Sequence, residues 1–380
     1  MDRMDRHCSF KSIIYIKAMW IDNKPVKGRG AAIQPSNRYL KNAYGTWDSA
    51  GVDALLNEDG EQEIDDPPTK FIVGHAKSIL NKVTSKDIGI EWSVNPYQGC
   101  EHGCAYCYAR PTHEYWGYSA GLDFERTIIV KRNAADLLDK ALRSPTWDVG
   151  TISISGNTDC YQPAERKEGI TRKILQVAQN FGQPIGVITK NALVLRDNDI
   201  IAEMASRKLA SVAISLTTQD EALRRVLEPR TSTAQTRLRT IETLSKAGVP
   251  VLAMLAPIIP SMNDHEIPDL LRSAANAGAR TASYTVVRTN GPVEDVFRKW
   301  LEDHFPDRAA KVIAQISELH GGGMKDSSMG RRMRGEGALA ESIRSVFNLM
   351  RKRYFGDLRM PDHDRSQFKI PANGQLDLFS

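Results

Sequence analysis

The chain has 380 residues, of which 41% are hydrophobic and 26% charged, and its formal net charge is +5. This composition is typical of a globular protein and excludes a wholly disordered chain, a collagen and a membrane-spanning bundle. The longest apolar stretch, residues 249–259, is too short to span a bilayer, and the first residues contain no signal-peptide pattern. Three of the five cysteines lie close together, which does not indicate a disulfide scaffold. We therefore expect a cytoplasmic protein with reduced cysteines and no membrane partner.

Residues 1–87 are predicted to form an irregular N-terminal extension. Glycines and prolines interrupt residues 24–38, and an acidic run over residues 58–68 ends in two prolines. This pattern fits either an arm that wraps the core or a disordered leader.

Residues 88–290 are predicted to form the core of the fold. Short apolar runs alternate there with amphipathic segments, which is typical of βαβ units and a parallel sheet. Six strands fit a partial TIM-type (β/α)6 barrel. A doubly wound open sheet is the alternative, although no G-x-G-x-x-G follows the first strand. The predicted strands are Trp92–Tyr97, Thr151–Ser155, Ile185–Thr189, Ser211–Leu216, Pro250–Pro257 and Ser283–Val287, and the predicted helices between them are Ala134–Arg143, Arg166–Phe181, Asp197–Arg207, Ala234–Lys246 and Glu266–Ala277.

Residues 291–365 are predicted to form a helical C-terminal extension, followed by a flexible tail over residues 366–380. Within the extension, the basic window Lys325 to Arg353 carries eight basic and three acidic residues, so its net charge equals that of the whole chain. Such a surface can bind the phosphates of nucleic acid. The alternative is a solvated helix face held by internal salt bridges. The predicted helices are Val293–His304, Ala309–Leu319 and Leu339–Arg353.

The strongest sequence motif is the C-x3-C-x2-C spacing of Cys100, Cys104 and Cys107, directly after the first predicted strand. Three closely spaced thiolates can bind three irons of a [4Fe–4S] cube and leave the fourth iron open to a small chelating ligand. One alternative is structural zinc, with His102 or His113 as the fourth ligand. Three buried structural thiols are the other alternative.

This cysteine motif, with an aromatic residue before its last cysteine and a βα series after it, resembles the radical S-adenosylmethionine (SAM) superfamily. The segments NPYQGCEHGCAYCYAR at 95–110, GNTDCYQPAE at 156–165 and LEPRTS at 227–232 resemble the branch related to spore photoproduct lyase. The resemblance implies two cofactors, a [4Fe–4S] cluster and SAM. It also implies that an external one-electron reductant drives cleavage of SAM to a 5′-deoxyadenosyl radical, which abstracts hydrogen from the substrate.

The resemblance also implies a role for individual residues. Cys100, Cys104 and Cys107 are the expected ligands of the cluster. The other expected cofactor contacts are Tyr106 against the adenine, Gly156, Asn157 and Thr158 toward the amino group of SAM, Lys190 toward its carboxylate, Ser215 toward the ribose, and the backbone of Ala256 toward the adenine. A surface tyrosine at position 106 and a solvated lysine at position 190 are the alternatives.

The loop after the second predicted strand carries the candidates for catalysis and substrate binding. Asp159 and Tyr161 are expected to face the substrate, and Cys160 is a candidate for returning a hydrogen atom to a product radical. Gln162 and Glu165 follow on the same loop and are further candidates for contact with the substrate. The alternatives are a loop that caps a helix, with Glu165 in its first turn, and a small buried cysteine.

The last residues include Gln375-Leu376-Asp377-Leu378-Phe379, which resembles the peptide with which bacterial repair proteins bind the DNA sliding clamp. Together with the lyase-like segments, this predicts a radical SAM enzyme that acts on nucleic acid, in DNA repair or modification. One alternative is a radical SAM enzyme that acts on a protein or small molecule. The other is a non-catalytic metal-cluster adaptor recruited to the clamp.

Overall fold

A computed structural model of the chain describes residues 26, 28–39, 68–85, 87 and 89–372. Most of the predicted N-terminal extension and the clamp-like peptide Gln375–Phe379 lie outside the described residues, so what was predicted for them stays a prediction. Among the helices within these ranges, none has the length and apolar character needed to cross a membrane.

The main sheet has seven strands, and six of them run parallel. The described residues form ten strands, β1 to β10 in chain order: Lys70–Val73, Leu80–Lys82, Trp92–Val94, Tyr97–Gln98, Thr127–Val130, Ile152–Ile154, Ile185–Thr189, Ala210–Ser215, Val251–Ile258 and Thr281–Val286. The order in the main sheet is β10-β9-β8-β7-β6-β3-β2, with β2 antiparallel to β3 at one edge. The six parallel strands are the six that the sequence predicts.

These parallel strands follow one another in chain order from β3 to β10, without the reversal of strand order that marks a doubly wound sheet. Among the described strands, β10 pairs with β9 and not with β3, so the sheet stays open. The predicted α/β fold class is confirmed: a parallel sheet of βα units, as in a partial (β/α)6 barrel.

A second, three-stranded sheet has the order β1-β5-β4 and was not predicted from the sequence. Strand β5 pairs parallel with β1 and antiparallel with β4. Because β4 ends at Gln98, this small sheet fixes the point where the chain enters the cysteine loop. The backbone N–H of Cys100 donates to the carbonyl of Phe124 at 2.8 Å, which joins the loop to the segment before β5.

Helices connect the parallel strands and bury their apolar faces against the sheet. The described helices, α1 to α12, are Asp123–Arg126, Ala134–Leu142, Glu165–Glu168, Ile170–Phe181, Asn198–Ser206, Glu221–Leu227, Ala234–Lys246, Ile267–Asn276, Val293–His304, Pro306–Leu319, Arg331–Arg334 and Gly337–Phe355. Two of them, α7 and α9, have the predicted bounds. Helices α1, α6 and α11 were not predicted.

The predicted helix over residues 166–181 is wrong in one respect, because it breaks into α3 and α4. Gly169 has φ of +62°, in the left-handed region that favours glycine, and ends the first helix. The carboxylate of Glu165 then accepts from the backbone N–H groups of Ile170 and Thr171 at 3.1 and 3.0 Å. A carboxylate at the first turn of α4 satisfies N–H groups that have no partner within the helix.

Strand alternation decides which side chains face the helices and which face the other side of the sheet. In β9, Ala253 and Leu255 are buried in the hydrophobic core, whereas the neighbouring Met254 and Ala256 line a cavity. Side chains two residues apart in a strand share a face. The same sheet therefore supports a helix layer on one side and a cavity on the other.

Candidate active site

A cavity of about 350 Å³, the reaction cavity, lies at the carboxyl ends of the parallel strands. This is where loops of βα barrels form active sites. The predicted site residues line it, except Cys160, Tyr161, Gln162 and Glu165. Its walls come from the cysteine loop (Cys100, Cys104, Tyr106, Cys107, Tyr108), the loop after β6 (Ser155 to Asp159), the ends of β7 to β9 (Lys190, Ser215, Ala256) and the end of β10 (Tyr284, Arg288), with Arg334 beside them.

The cysteine loop is held against the cavity through its backbone. Arg110 is fully buried, and its guanidinium donates to the carbonyl of Cys104 at 2.9 and 3.1 Å. The N–H of Ala105 donates to the carbonyl of Leu227, the last residue of α6, at 3.1 Å. These contacts fix the path of the loop and leave its three thiols facing the cavity.

A buried carboxylate, Glu125, ties the N-terminal segment to the cysteine loop. It pairs with Arg110 at 2.5 Å and accepts from the backbone N–H groups of Gly30 and Ala31 at 3.0 and 2.9 Å. Gly30 packs so closely that a Cβ built there would lie 1.7 Å from the carbonyl oxygen of Gly103. This part of the extension therefore folds onto the core as an arm.

The three cysteines line one cavity and supply the donor set expected for an iron–sulfur cluster. Among the described residues, no three His, Cys, Asp or Glu side chains converge as ligands of one metal ion. In a [4Fe–4S] cube each thiolate binds a different iron, so the sulfur atoms need not converge on one point. Burial raises the pKa of Cys100, Cys104 and Cys107. Thiolates at these positions therefore need a positive partner, which bound iron supplies.

Of the two histidines that were considered as a fourth zinc ligand, His102 lines the cavity and His113 does not. His102 is buried, with Nδ1 3.3 Å from a carboxylate oxygen of Asp159. His113 lies in an aromatic cluster with Tyr118 and Phe124, where burial lowers its pKa to about 4. His113 is therefore excluded as a ligand beside the cysteines, and the ring of His102 is engaged with Asp159 and Asn191.

Tyr106 contributes to a buried polar network under the cavity. Its hydroxyl donates to Glu228, which also accepts from Thr217 at 2.7 Å and pairs with Arg237 at 2.5 Å. The Nζ of Lys190 lies 5.9 Å from the centre of the Tyr106 ring. Burial acts to raise the pKa of Glu228, but Arg237 and Lys190 lower it to about 2. Glu228 thus stays charged and fixes the ring of Tyr106 at the cavity wall.

The Gly156–Thr158 segment lines the cavity, and its polar side chains form hydrogen bonds within the protein. The hydroxyl of Thr158 donates to the carbonyl of Tyr97 at 2.8 Å, and the amide of Asn157 donates to Thr112 at 3.1 Å. A Cβ at Gly156 would lie 2.8 Å from the Cβ of Ser93. The glycine is therefore required by the close approach of β3, in addition to any contact with a cofactor.

Asp159 lines the cavity, but its carboxylate accepts hydrogen bonds from other groups of the protein. It accepts from the backbone N–H groups of Tyr161 and Lys190 and from the hydroxyl of Thr189, each at 2.8 Å. Burial acts to raise the pKa of Asp159, yet His102 and the backbone donors lower it on balance. This geometry makes Asp159 a positioning residue that links the loop after β6 to the end of β7.

Cys160 and Tyr161 do not line the cavity, although the sequence predicts a catalytic role for both. Both side chains are fully buried in the main hydrophobic core. The hydroxyl of Tyr161 donates to Asp197 at 3.0 Å. Their catalytic roles stay predictions, which this placement disfavours because neither side chain faces the space where a substrate binds.

Gln162, a predicted substrate contact, does not line the cavity. It holds the cysteine loop, since its side chain accepts from the N–H of Glu101 at 2.9 Å and donates to the carbonyl of Gly99 at 3.1 Å. Sequence reasoning missed two residues that position the site, Glu228 and Arg110. Both lie in the segments that carry the family resemblance, which was the one signal available for finding them.

Comparison with known proteins gives one family for this chain. A family model described as the radical SAM superfamily matches residues 94–274. An uncharacterized protein of Mycobacterium tuberculosis is 36% identical over 247 residues, which cover 64% of this chain and 72% of that protein. An uncharacterized protein of Methanocaldococcus jannaschii is 28% identical over 235 residues, which cover 61% of this chain and 82% of that protein.

Solved structures with a similar fold include spore photoproduct lyase complexed with dinucleoside spore photoproduct. The TM-score is 0.56 at 16% identity, over 75% of this chain and 80% of that chain. At this identity the likeness concerns the fold, since one fold supports many activities.

Proposed function

Because this chain belongs to the radical SAM superfamily and shares the fold of spore photoproduct lyase, we propose that it is a radical SAM enzyme acting on nucleic acid, in DNA repair or modification. The superfamily uses a [4Fe–4S] cluster and SAM, and these are the cofactors of this chain. When bound and reduced, they supply a 5′-deoxyadenosyl radical that takes a hydrogen atom from the substrate. The protein's part is to hold the cofactors and exclude competing hydrogen donors.

The observation that carries this proposal is the meeting of the three cysteines with the strand ends in one cavity. Cys100, Cys104 and Cys107 would hold the cluster, and Lys190 at the end of β7 would neutralise a carboxylate. The ring of Tyr106, fixed by Glu228, provides an apolar face for the adenine. Ser215 and Ala256 also line the cavity, as expected for contacts to the nucleoside of SAM.

The charge of the cavity supports an anionic substrate. Arg288 and Arg334 line it, and in the described part of the chain neither of them forms an ion pair with a carboxylate. Tyr108 is half exposed beside them, with the Arg288 guanidinium 5.7 Å from its ring centre. Cations combined with an exposed aromatic ring are typical of proteins that bind the bases and phosphates of single strands. A nucleotide inside a duplex would have to be flipped out, which costs a few kcal/mol.

Anaerobic reconstitution tests the enzymatic part of the proposal. The reconstituted and reduced protein should convert SAM to 5′-deoxyadenosine. With deuterated nucleic acid added, deuterium should appear in the 5′-deoxyadenosine. Absence of SAM cleavage would favour the non-catalytic adaptor. Deuterium transfer only from labelled peptides or small molecules would favour the other radical SAM alternative.

A further inference from the structure

A second cavity, of about 470 Å³, adjoins the reaction cavity and is lined by four arginines. We call it the arginine cavity. It lies between β10, helix α12 and the segment that follows this helix. Its charged members are Arg334, Arg344, Arg351 and Arg359, and its apolar surface comes from Leu252, Ala282, Phe347, Leu358 and Met360.

The four guanidinium groups lack a neutralising partner. Within the described part of the chain, no ion pair joins any of them to a carboxylate, and no acidic side chain lines the cavity. Arg351 donates to the hydroxyl of Thr281 at 3.3 Å, and Arg334 lies over the ring of Tyr284, 4.0 Å from its centre. Like charges around one cavity repel each other, and an anion between them would remove that repulsion.

Three other basic residues of the window at 325–353 form ion pairs with carboxylates. Lys325 pairs with Glu294, Arg331 with Asp326, and Arg332 with Asp87. Their charge is neutralised inside the protein, as the salt-bridge alternative expected. The excess positive charge of the window is therefore concentrated on the residues around the arginine cavity and on the exposed Lys352 and Arg353.

A buried tyrosine links the two cavities. Ser283, Tyr284 and Arg334 line both of them, so the cavities share a wall. Tyr284 is only 2% exposed, and its hydroxyl has no hydrogen-bond partner among the described residues. A buried hydroxyl without a partner is uncommon in proteins and is explained when a ligand or water supplies the partner.

From this arrangement we infer that the arginine cavity binds the phosphodiester backbone of a nucleic-acid strand whose reacting nucleotide occupies the reaction cavity. This inference rests on the proposed function and adds the site where the substrate backbone is held. Guanidinium groups match phosphate oxygens in a two-pronged geometry. The apolar surface between them accommodates a sugar or base of the same strand.

Substitution of two cavity arginines tests the inference in the full chain with its cluster reconstituted. The test variant is Arg344→Gln with Arg351→Gln, and the matched control is Lys352→Gln with Arg353→Gln, which removes two charges from the same helix outside the cavity. Fluorescence anisotropy with labelled single-stranded DNA and RNA oligonucleotides gives the dissociation constant at several salt concentrations. The test variant should bind roughly tenfold more weakly at low salt. The plot of the logarithm of the association constant against the logarithm of the salt concentration should become less steep by about 1.4, since each phosphate contact to a single strand contributes about 0.7 to the steepness.

The control variant should bind within about twofold of the wild type and keep its salt slope. Arg344→Lys with Arg351→Lys retains the charge and should recover most of the slope. SAM cleavage without substrate should be equal in all variants, which shows that the core is folded. Unchanged binding in the test variant, or an equal loss in the control, would overturn the inference.

The design separates the two proposals. A wild-type protein that cleaves SAM and binds oligonucleotides, combined with a test variant that binds normally, refutes the arginine cavity alone. A protein that cleaves SAM but binds neither DNA nor RNA refutes the nucleic-acid substrate and the cavity together. Arginine-dependent binding without SAM cleavage refutes the enzymatic function and leaves the binding site.

Discussion

At the scale of single residues, the site depends on charged groups that are buried and paired. Glu228 is the clearest example. Its carboxylate accepts hydrogen bonds from the hydroxyl groups of Tyr106 and Thr217 and forms an ion pair with the guanidinium of Arg237. Removing one partner of a buried pair leaves the other charge without compensation. Such a residue affects the cofactor pocket without touching the cofactor.

Glu228→Gln should lower the free energy of unfolding by about 3 kcal/mol at neutral pH, because Arg237 loses its buried partner. The pKa of Glu228 is lowered from 4.5 to about 2 in the folded protein. Its contribution is therefore complete above about pH 4.5 and is lost as the pH falls toward 2. Urea unfolding should show the gap between wild type and variant narrowing below pH 4.5. Glu242→Gln, which removes an exposed pair with Lys246, should leave stability nearly unchanged.

Substitution of any one cluster cysteine should abolish stable binding of the iron–sulfur cluster. Cys104→Ala removes one of three thiolates in the cavity, whereas Cys160→Ala changes a buried side chain outside it. After anaerobic reconstitution, iron analysis and visible absorbance should show loss of the cluster in the first variant and retention in the second. Loss of the cluster in Cys160→Ala as well would contradict the assignment of the ligands.

At the scale of elements, the cysteine loop is held by parts of the chain that are distant in sequence. Strand β4 leads into it, the last carbonyl of α6 binds its backbone, and the Gly30 segment covers it. These contacts explain how a loop without regular structure keeps three thiols in place. They also assign a structural role to a piece of the N-terminal extension.

Gly30→Ala should destabilise the protein and weaken retention of the cluster, because a Cβ there would overlap the backbone carbonyl of Gly103. Overpacking of this kind costs about 1–3 kcal/mol. Gly323→Ala is the control, since a Cβ there meets nothing within 4 Å. Thermal unfolding and iron content measure both effects. A Gly30→Ala protein with wild-type stability and iron content would show that this arm does not support the loop.

At the scale of the whole molecule, one sheet organises two adjoining cavities of different character. The reaction cavity combines thiols, an aromatic ring and strand-end backbone, while the arginine cavity offers positive charge over an apolar surface. Ser283, Tyr284 and Arg334 line both cavities, and the proposed site for a nucleic-acid backbone depends on this shared lining.

The clamp-like peptide predicts a partner for the whole molecule. Deleting Gln375–Ser380 should abolish co-purification with the DNA sliding clamp, because the apolar Leu378 and Phe379 would no longer enter its groove. SAM cleavage should be unchanged, since the cavity residues lie elsewhere in the chain. Equal retention of the clamp by the truncated and full-length proteins would refute this role of the tail.

The sequence alone determined the positions of the six parallel strands, most helix positions and the three cysteines of the loop. These features are encoded locally: strand alternation repeats every two residues, helices repeat every 3.6, and the three thiols lie within eight residues. The same local patterns fail where a helix breaks, as at Gly169, because one glycine and one capping carboxylate override the periodicity.

Only the tertiary structure decided which charged and polar groups are free. Arg332 is neutralised by Asp87, 245 residues away, whereas Arg344 and Arg351 on the nearby helix meet no carboxylate in the described part of the chain. Likewise, Cys160 lies beside the active-site loop in sequence but is buried in the core. Pairing across the chain and burial depend on how distant segments pack, and no local pattern carries that information.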